Sequence, residues 1–460
     1  MSFQIPLVKI GEIISATFVN FSSDVGEKKV TGINTDSRTV KPGEVFVALK
    51  GEKFDGHKFV EAALASGAIA AIVEHCAHIE SSQLPILVVE NTLKAYQKIG
   101  CWWRAQFTIP VIAVTGSFGK TTTKELIAAV LATQGNVLKT QLNYNNEIGV
   151  PKTLLELSTE HDFAVIEMAM RGPGQIAELT QIAQPTIGVI TNVGTAHIGL
   201  LGSEEAIARA KCELLAEMSP NSIAILNADN SLLMETAATV WHGQTLTYGL
   251  EAGDLRGTLI DNQTLEVEGV RLPLPLVGRH NAQNYLAALA VAKVLHIDWT
   301  LLSQGLTVEL PEGRAKRYQL DCDVLILDET YNAGLESMLA ALRLLAETPG
   351  RRHIAVLGTM LELGERSLEF HQKVGAFARQ LNLDALFILA DAPEAEAMAL
   401  GAAGLSYLQV YSSTSDYDKS QLIQSLKTFV KPGDRLLFKA SHAVALDKVV
   451  EQFKQEFTYP

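Results

Sequence analysis

A chain of 460 residues, 47% apolar and 19% charged, holds enough apolar material for several cores and suggests about three domains. Acidic residues outnumber basic ones, 51 to 38, for a formal charge of −13. That excludes the extended basic surface of a general nucleic-acid binder and leaves room for an anionic small molecule in a local basic pocket.

The opening MSFQIPLVKIGEII lacks a basic region followed by a long apolar one, so no signal peptide is expected. No apolar run is long enough to span a bilayer, so a cytoplasmic protein without membrane insertion is expected. The segment to Thr108 reads as small α/β. Strands are expected at Val45–Leu49, Ala68–Val73 and Ile86–Val89, with helices at His57–Ser66 and from a cap at Asn91 through Trp103. Ser37 and Arg38 lie in a polar loop where turn chemistry accounts for them, although an arginine fork can also hold a phosphate or uracil group.

A second domain opens near Pro110. Val111–Thr115 is an apolar, β-branched strand, and Gly116-Ser117-Phe118-Gly119-Lys120-Thr121-Thr122 follows it. The next helix carries Leu126, Ile127, Val130 and Leu131 on one stripe, towards a stop at Gly135. Strand, glycine turn and helix N-terminus together make an anion site. Lys120 can reach terminal phosphates, and the Thr121 hydroxyl can bind Mg²⁺. Val114 stands where a standard Walker A pattern has glycine, so the loop is the shortened T-G-x-x-G-K-T.

Downstream, Asn143, Asn145 and Asn146 precede a helix begun at Pro151, either as turn residues or as ligands for phosphate or metal-bound water. Glu167 ends the strand Phe163–Ile166, where nucleotide-bound Mg²⁺ takes a protein carboxylate. Ile187–Ile190 repeats the geometry and leads to His197 on the same rim. Ser203 caps a helix on which Lys211 shares the face of Ile207 and Leu214. Such a lysine either snorkels to solvent or points into a site. Gly278-Arg279-His280-Asn281-Ala282-Gln283-Asn284 precedes a helix expected at Tyr285–Leu295, as a capped start, as amides reading an adenine edge, or both.

After Leu310-Pro311-Glu312-Gly313-Arg314, strands and helices alternate again. Val324–Leu327 ends in Asp328-Glu329, before Tyr331 and Asn332; further strands are expected at His353–Leu357, Ala385–Leu389 and Arg435–Phe438. This predicts a parallel, doubly wound sheet, and the absence of G-x-G-x-x-G argues against a bound dinucleotide. Cys76, Cys101, Cys212 and Cys322 form no Cys-x-x-Cys pair, so neither a zinc site nor a disulfide framework is expected and a reducing compartment fits.

The stretches TGSFGKTTT, NNEIGVP and GRHNAQN, with Glu167, His197, Lys211 and Asp328, resemble the Mur ligase family over essentially the whole length. NTDSR with VFVALKGEKFDGH, DETYNAGLESM and GTMLELGERSLEFH resemble the members that add D-alanyl-D-alanine. The Asp-Asn-Pro-Arg motif of the branch adding the third amino acid is absent. Ala169-Met170-Arg171 and Ala440-Ser441-His442 depart from the family pattern.

The resemblance implies three α/β domains: residues 1–108 binding a UDP-sugar, a central P-loop ATPase-like domain at 109–312, and a C-terminal Rossmann-like domain at 313–460 binding the dipeptide. It implies a monomer with ATP and Mg²⁺ as cofactors, and UDP-N-acetylmuramoyl-tripeptide and D-Ala-D-Ala as substrates, joined through an acyl phosphate. Thr115 to Thr122 and Asn146 would then bind ATP, with Lys120 on its terminal phosphate. Thr121 and Glu167 would hold one Mg²⁺, and His197 with a carbamylated Lys211 a second. Asn281 and Asn284 would face adenine, Asp328 the ribose, Arg314 the phosphates, Ser37 and Arg38 the UDP-sugar, and Tyr331 and Asn332 the dipeptide. The alternatives are a third-amino-acid ligase, a folylpolyglutamate synthase, which would not need the first 110 or so residues, and a non-ligase nucleotide-binding module.

Overall fold

The computed structural model describes residues 3–74 and 85–457; Cys76 lies outside them, and Cys101, Cys212 and Cys322 are free thiols. Apolar β-branched runs alternate with amphipathic helices, and three α/β domains result.

The first is built on a five-stranded sheet. Its strands are β1 (Thr17–Val19), β2 (Gly32–Asn34), β3 (Glu44–Val47), β4 (Ala70–Glu74) and β5 (Ile86–Val89), in the order β1-β5-β4-β3-β2. Helices α1 (Leu7–Ile14), α2 (Val60–Ala65) and α3 (Thr92–Arg104) cover it, and the side chain of Asn91 caps α3 by accepting from the Lys94 amide. The Trp103 indole donates to the Leu157 carbonyl at 3.0 Å, so α3 is fastened to the second domain.

The second domain holds nine strands. In chain order they begin β6 (Val111–Thr115), α4 (Lys120–Leu131), β7 (Val137–Lys139), α5 (Gly149–Leu154), β8 (Phe163–Glu167), α6 (Gln175–Ala183) and β9 (Ile187–Ile190). Then come α7 (Ile198–Leu201), α8 (Glu204–Glu217), β10 (Ile223–Asn227), α9 (Ser231–Val240), β11 (Gln244–Gly249), β12 (Leu255–Asp261), β13 (Thr264–Val267), β14 (Val270–Pro273) and α10 (Arg279–Val294). The order is β14-β13-β12-β11-β10-β9-β6-β8-β7, parallel from β7 to β12 and antiparallel beyond. Strand β6 lies between β8 and β9, with every residue buried. Chain direction splits on either side of it, which opens a crevice at the carboxyl ends. Helix α10 starts at Arg279, not Tyr285, because Gly278 takes φ +108° and turns the chain straight into it. Asn281 and Asn284 are therefore helical residues.

The third domain comprises β15 (Lys316–Leu320), β16 (Val324–Glu329), α11 (Leu335–Glu347), β17 (Arg352–Gly358), α12 (Ser367–Gln380), β18 (Ala385–Ala390) and α13 (Ala392–Gly401). It ends with β19 (Leu408–Ser412), α14 (Asp416–Phe429), β20 (Asp434–Lys439) and α15 (Leu446–Glu456). Its sheet runs β15-β16-β20-β17-β18-β19, parallel except for β15, as a doubly wound domain predicts. No helix among the described residues is long and apolar enough to cross a membrane.

Candidate active site

A cavity of about 1230 Å³ lies between the second and third domains. One wall is the carboxyl edge around β6, β8 and β9 with the first turns of α10; the other is the turn after β16 and the segment after β20.

The loop between β6 and α4 folds as an anion cradle. Gly116 and Gly119 take φ +152° and +77°, and a Cβ on Gly119 would come within 2.6 Å of Asn284 Oδ1. Only glycine brings the backbone that close to α10. The cradle is strapped to the turn after β9: Phe118 N–H donates to Asn192 Oδ1 at 3.0 Å, and Gly194 N–H to Ser117 Oγ at 2.9 Å. Lys120 is half-buried, and its ammonium donates to the carbonyls of Gly116 (2.9 Å) and Ser117 (3.3 Å). Burial holds its pKa below the ordinary lysine value, against the pull of Glu167.

Glu167 is buried at the end of β8. Its Oε1 accepts from Thr121 Oγ1 at 3.2 Å and Asn145 Nδ2 at 2.8 Å, while its Oε2, equally buried, has no hydrogen-bond partner among the described residues. An orphaned carboxylate oxygen beside a threonine hydroxyl, under a phosphate cradle, suits a hard divalent cation whose other ligands are phosphate and water. No group of three or more His, Cys, Asp or Glu that could hold a metal occurs among the described residues. A cation here thus depends on its substrate for most of its ligands.

Lys211 is 1% exposed, enclosed with Ile207 and Leu214, which are fully buried. Snorkelling is excluded. Burial, and then the charge of Lys120, press its pKa well below the lysine value. His197, in the left-handed region at φ +67°, bonds through Nδ1 to Glu362; burial and then Lys120 lower its pKa, against Glu362. Lys120, Lys211 and His197 thus lie close enough together for the charge of Lys120 to lower the pKa of the other two.

Opposite, the Arg314 guanidinium lies 4.0 Å above the Tyr331 ring, which stacks at 5.8 Å on His442. Lys439 donates to the Asn332 carbonyl at 2.8 Å, and burial raises the Glu329 pKa. The domains are latched across the cavity. Glu336, in the first turn of α11, accepts from the Thr195 amide (2.7 Å) and hydroxyl (3.1 Å). Glu362 approaches Arg171 at 3.8 Å as well as His197. Glu336→Ala is expected to remove about 1.5–3 kcal/mol from the closed arrangement. Small-angle scattering should show a larger radius of gyration with native helix content; an unchanged profile would show that this contact does not hold the domains.

Of the residues singled out in the sequence, Ser117 to Thr122, Asn146, Glu167, His197, Asn281, Asn284, Arg314, Tyr331 and Asn332 line the cavity. Thr115, Gly116 and Lys211 are not among the lining residues. Asp328 is not among the lining side chains: its Oδ1 accepts from the Thr330 amide (3.0 Å) and hydroxyl (2.7 Å), bonds that shape the turn to Tyr331 and use one of its two carboxylate oxygens. Ser37 and Arg38 also lie off the cavity. Arg38 is exposed and pairs with Asp36 at 2.7 Å, which with help from Lys152 lowers that carboxyl to about 2. Asn146 holds the turn that leads into α5, accepting from Gly149 N–H at 2.9 Å, and it is Asn145 that touches Glu167. Glu336 and Glu362 are cavity residues that carried no local signal, and Gln283, within the stretch read as amides facing an adenine edge, lines the cavity too.

A phosphate cradle at the junction of two doubly wound domains, with a smaller α/β domain ahead of them, defines the class of protein. The chain belongs to the Mur ligase family. Residues 29–100 match the Mur ligase family catalytic domain, 114–292 the Mur ligase middle domain and 313–442 the Mur ligase glutamate ligase domain. The chain is 59% identical over 437 residues to the UDP-N-acetylmuramoyl-tripeptide–D-alanyl-D-alanine ligase of Synechocystis sp., covering 95% of this chain and 94% of that one. It resembles the crystal structure of MurF from Acinetobacter baumannii with a TM-score of 0.88 at 31% identity, over 98% and 99% of the two chains. MurF from Thermotoga maritima in complex with ADP gives a TM-score of 0.81 at 34% identity, over 93% and 97%.

Proposed function

We propose that this chain joins D-alanyl-D-alanine to UDP-N-acetylmuramoyl-tripeptide, converting ATP to ADP and phosphate and yielding the UDP-N-acetylmuramoyl-pentapeptide. The terminal carboxylate of the tripeptide takes the transferred phosphoryl group. The dipeptide amine then attacks the acyl carbon, and phosphate leaves with the bonding pair. The observation that carries this reading is the cavity: a phosphate cradle and a half-free carboxylate on one wall face a substrate wall supplied by the other domain. The full-length similarity to the Synechocystis ligase supports it.

In this reading residues 1–108 hold the UDP-sugar, 109–312 the ATP and 313–460 the dipeptide. The Thr115–Thr122 loop holds the phosphates, with Lys120 on the transferring group, where a positioned cation stabilises developing charge. Thr121 and Glu167, steadied by Asn145, hold one Mg²⁺, and His197 with a carbamylated Lys211 a second; bound magnesium neutralises phosphate charge. Asn281 and Asn284 flank the adenine, Arg314 meets the phosphates, and Tyr331 and Asn332 orient the dipeptide. Ser37 and Arg38 meet the UDP-sugar on the side where Lys152 stands. In this reading the chain acts as a monomer in the cytoplasm.

ADP release should require both UDP-N-acetylmuramoyl-tripeptide and D-Ala-D-Ala. Single D-alanine and L-Ala-L-Ala should react more than about tenfold more slowly, since a site built to pair polar groups rejects substrates that leave them unpaired. Addition of a free diamino acid to the dipeptide nucleotide would reassign the chain within the family. Nucleotide hydrolysis with no amide product would make it a binding module.

A further inference from the structure

Four amide side chains line the end of the cavity near the start of α10: Asn227, Asn281, Gln283 and Asn284. Three are committed at both ends. Asn227 donates to the Thr191 carbonyl (2.9 Å) and accepts from the Asp229 amide (3.0 Å). Asn281 donates to the Val277 carbonyl (2.9 Å) and accepts from Asn284 Nδ2 (3.5 Å), and Asn284 accepts from Thr123 Oγ1 (3.2 Å).

Gln283 is different. Its Nε2 donates to Asp229 Oδ2 at 3.0 Å, and no donor among the described residues reaches its Oε1. Asp229 cannot reverse that polarity. Its carboxylate also accepts from the amides of Leu250 (2.8 Å), Glu251 (3.0 Å) and Ala252 (3.0 Å), and against the opposing effect of burial these bonds, together with the Gln283 bond, hold its pKa below the carboxylate value. An ionised carboxylate only accepts, so Gln283 must turn its amino group to Asp229 and its carbonyl oxygen to the cavity.

We infer that Gln283 selects the nucleobase and that Asp229 is the positioning residue setting its polarity, so that the site prefers a 6-amino purine to a 6-oxo purine. This rests on the reading of the cavity as a nucleotide site. A fixed acceptor gains a hydrogen bond from an exocyclic amine and faces an unpaired carbonyl when the base is oxo-substituted.

Calorimetric titration with ADP and IDP tests this on the whole chain without turnover. The unaltered protein should bind ADP more tightly by about tenfold or more, the value of one hydrogen bond against one unpaired acceptor. Gln283→Leu should bring the two affinities to within about threefold by weakening ADP, because leucine offers neither donor nor acceptor. Asp229→Asn should shift the preference towards IDP, since an amide at 229 can donate to Gln283 Oε1 and let the glutamine reverse. A wild-type ratio retained in folded Gln283→Leu overturns the inference, whatever becomes of Asp229→Asn. Tight ADP binding without ligation would overturn the proposed function and leave this selection intact; no binding of either nucleotide would overturn both.

Discussion

Lys120→Ala leaves the protein folded and lowers acyl-phosphate formation by about 10²-fold or more, the usual effect of removing one transition-state stabiliser. The fold does not depend on this side chain. Among the described residues its ammonium makes no ion pair and bonds two carbonyls of its own loop. The loop keeps its shape through Gly116 and Gly119, through Ser117 on Gly194 and through Phe118 on Asn192. Removing a half-buried cation also relieves Lys211 and His197, whose pKa values Lys120 depresses. A melting temperature at or above that of the unaltered chain is therefore expected beside the lost activity. Trapping the acyl phosphate with hydroxylamine in a single turnover separates this from a defect in the later amine attack. Near-normal trapping would remove Lys120 from the phosphate site.

Features written in a short local pattern were legible in the sequence. The strand, cradle and helix from Val111 to Leu131 lie where the apolar run and glycines put them, Ile187–Ile190 and Ile86–Val89 are strands, and Ser203 and Asn91 cap their helices. Glu167 was readable because an acid at the end of a buried strand beside such a cradle has few other uses. What escaped was long-range or locally ambiguous. Glu336 meets Thr195 across 141 positions and Glu362 meets His197 across 165, and neither acid differs in sequence from a solvated helix or loop acid. Strands β12 to β14 mix exposed polar positions with buried ones, so no continuous apolar run announced them. The start of α10 was read six residues late because Arg279, His280 and Asn281 resemble loop, whereas the left-handed Gly278 lets them form its first turn. Asp328 also pairs locally, its Oδ1 accepting from Thr330, a contact that the sequence did not announce.

Periodicity placed Lys211 on the face of Ile207 and Leu214, and the structure closes that face completely. What the lysine does there is the larger question. A plain ammonium beside Lys120, with no carboxylate on it, would oppose a divalent cation held nearby. Addition of CO₂ reverses that charge: the ammonium gives one proton to solvent, the freed amine nitrogen bonds to the carbon of CO₂ as a C–O π pair moves onto oxygen, and a second proton leaves the nitrogen, so a carbamate with one negative charge shared by two oxygens of the kind Mg²⁺ prefers takes the ammonium's place. Lys211→Ala should then lose about 10²-fold or more in ligation, since a misplaced cation removes charge stabilisation from the transferring group. Acetate or formate, small enough to enter the space the side chain leaves, should restore part of that activity. The same additives should do nothing for Lys120→Ala, where the missing group is a cation. Carbon-13 bicarbonate should label the unaltered chain with a carbamate resonance that Lys211→Ala lacks. Activity indifferent to bicarbonate, with no labelled carbamate and no rescue by carboxylates, would show Lys211 to be a buried structural amine and leave the second cation without its anionic ligand.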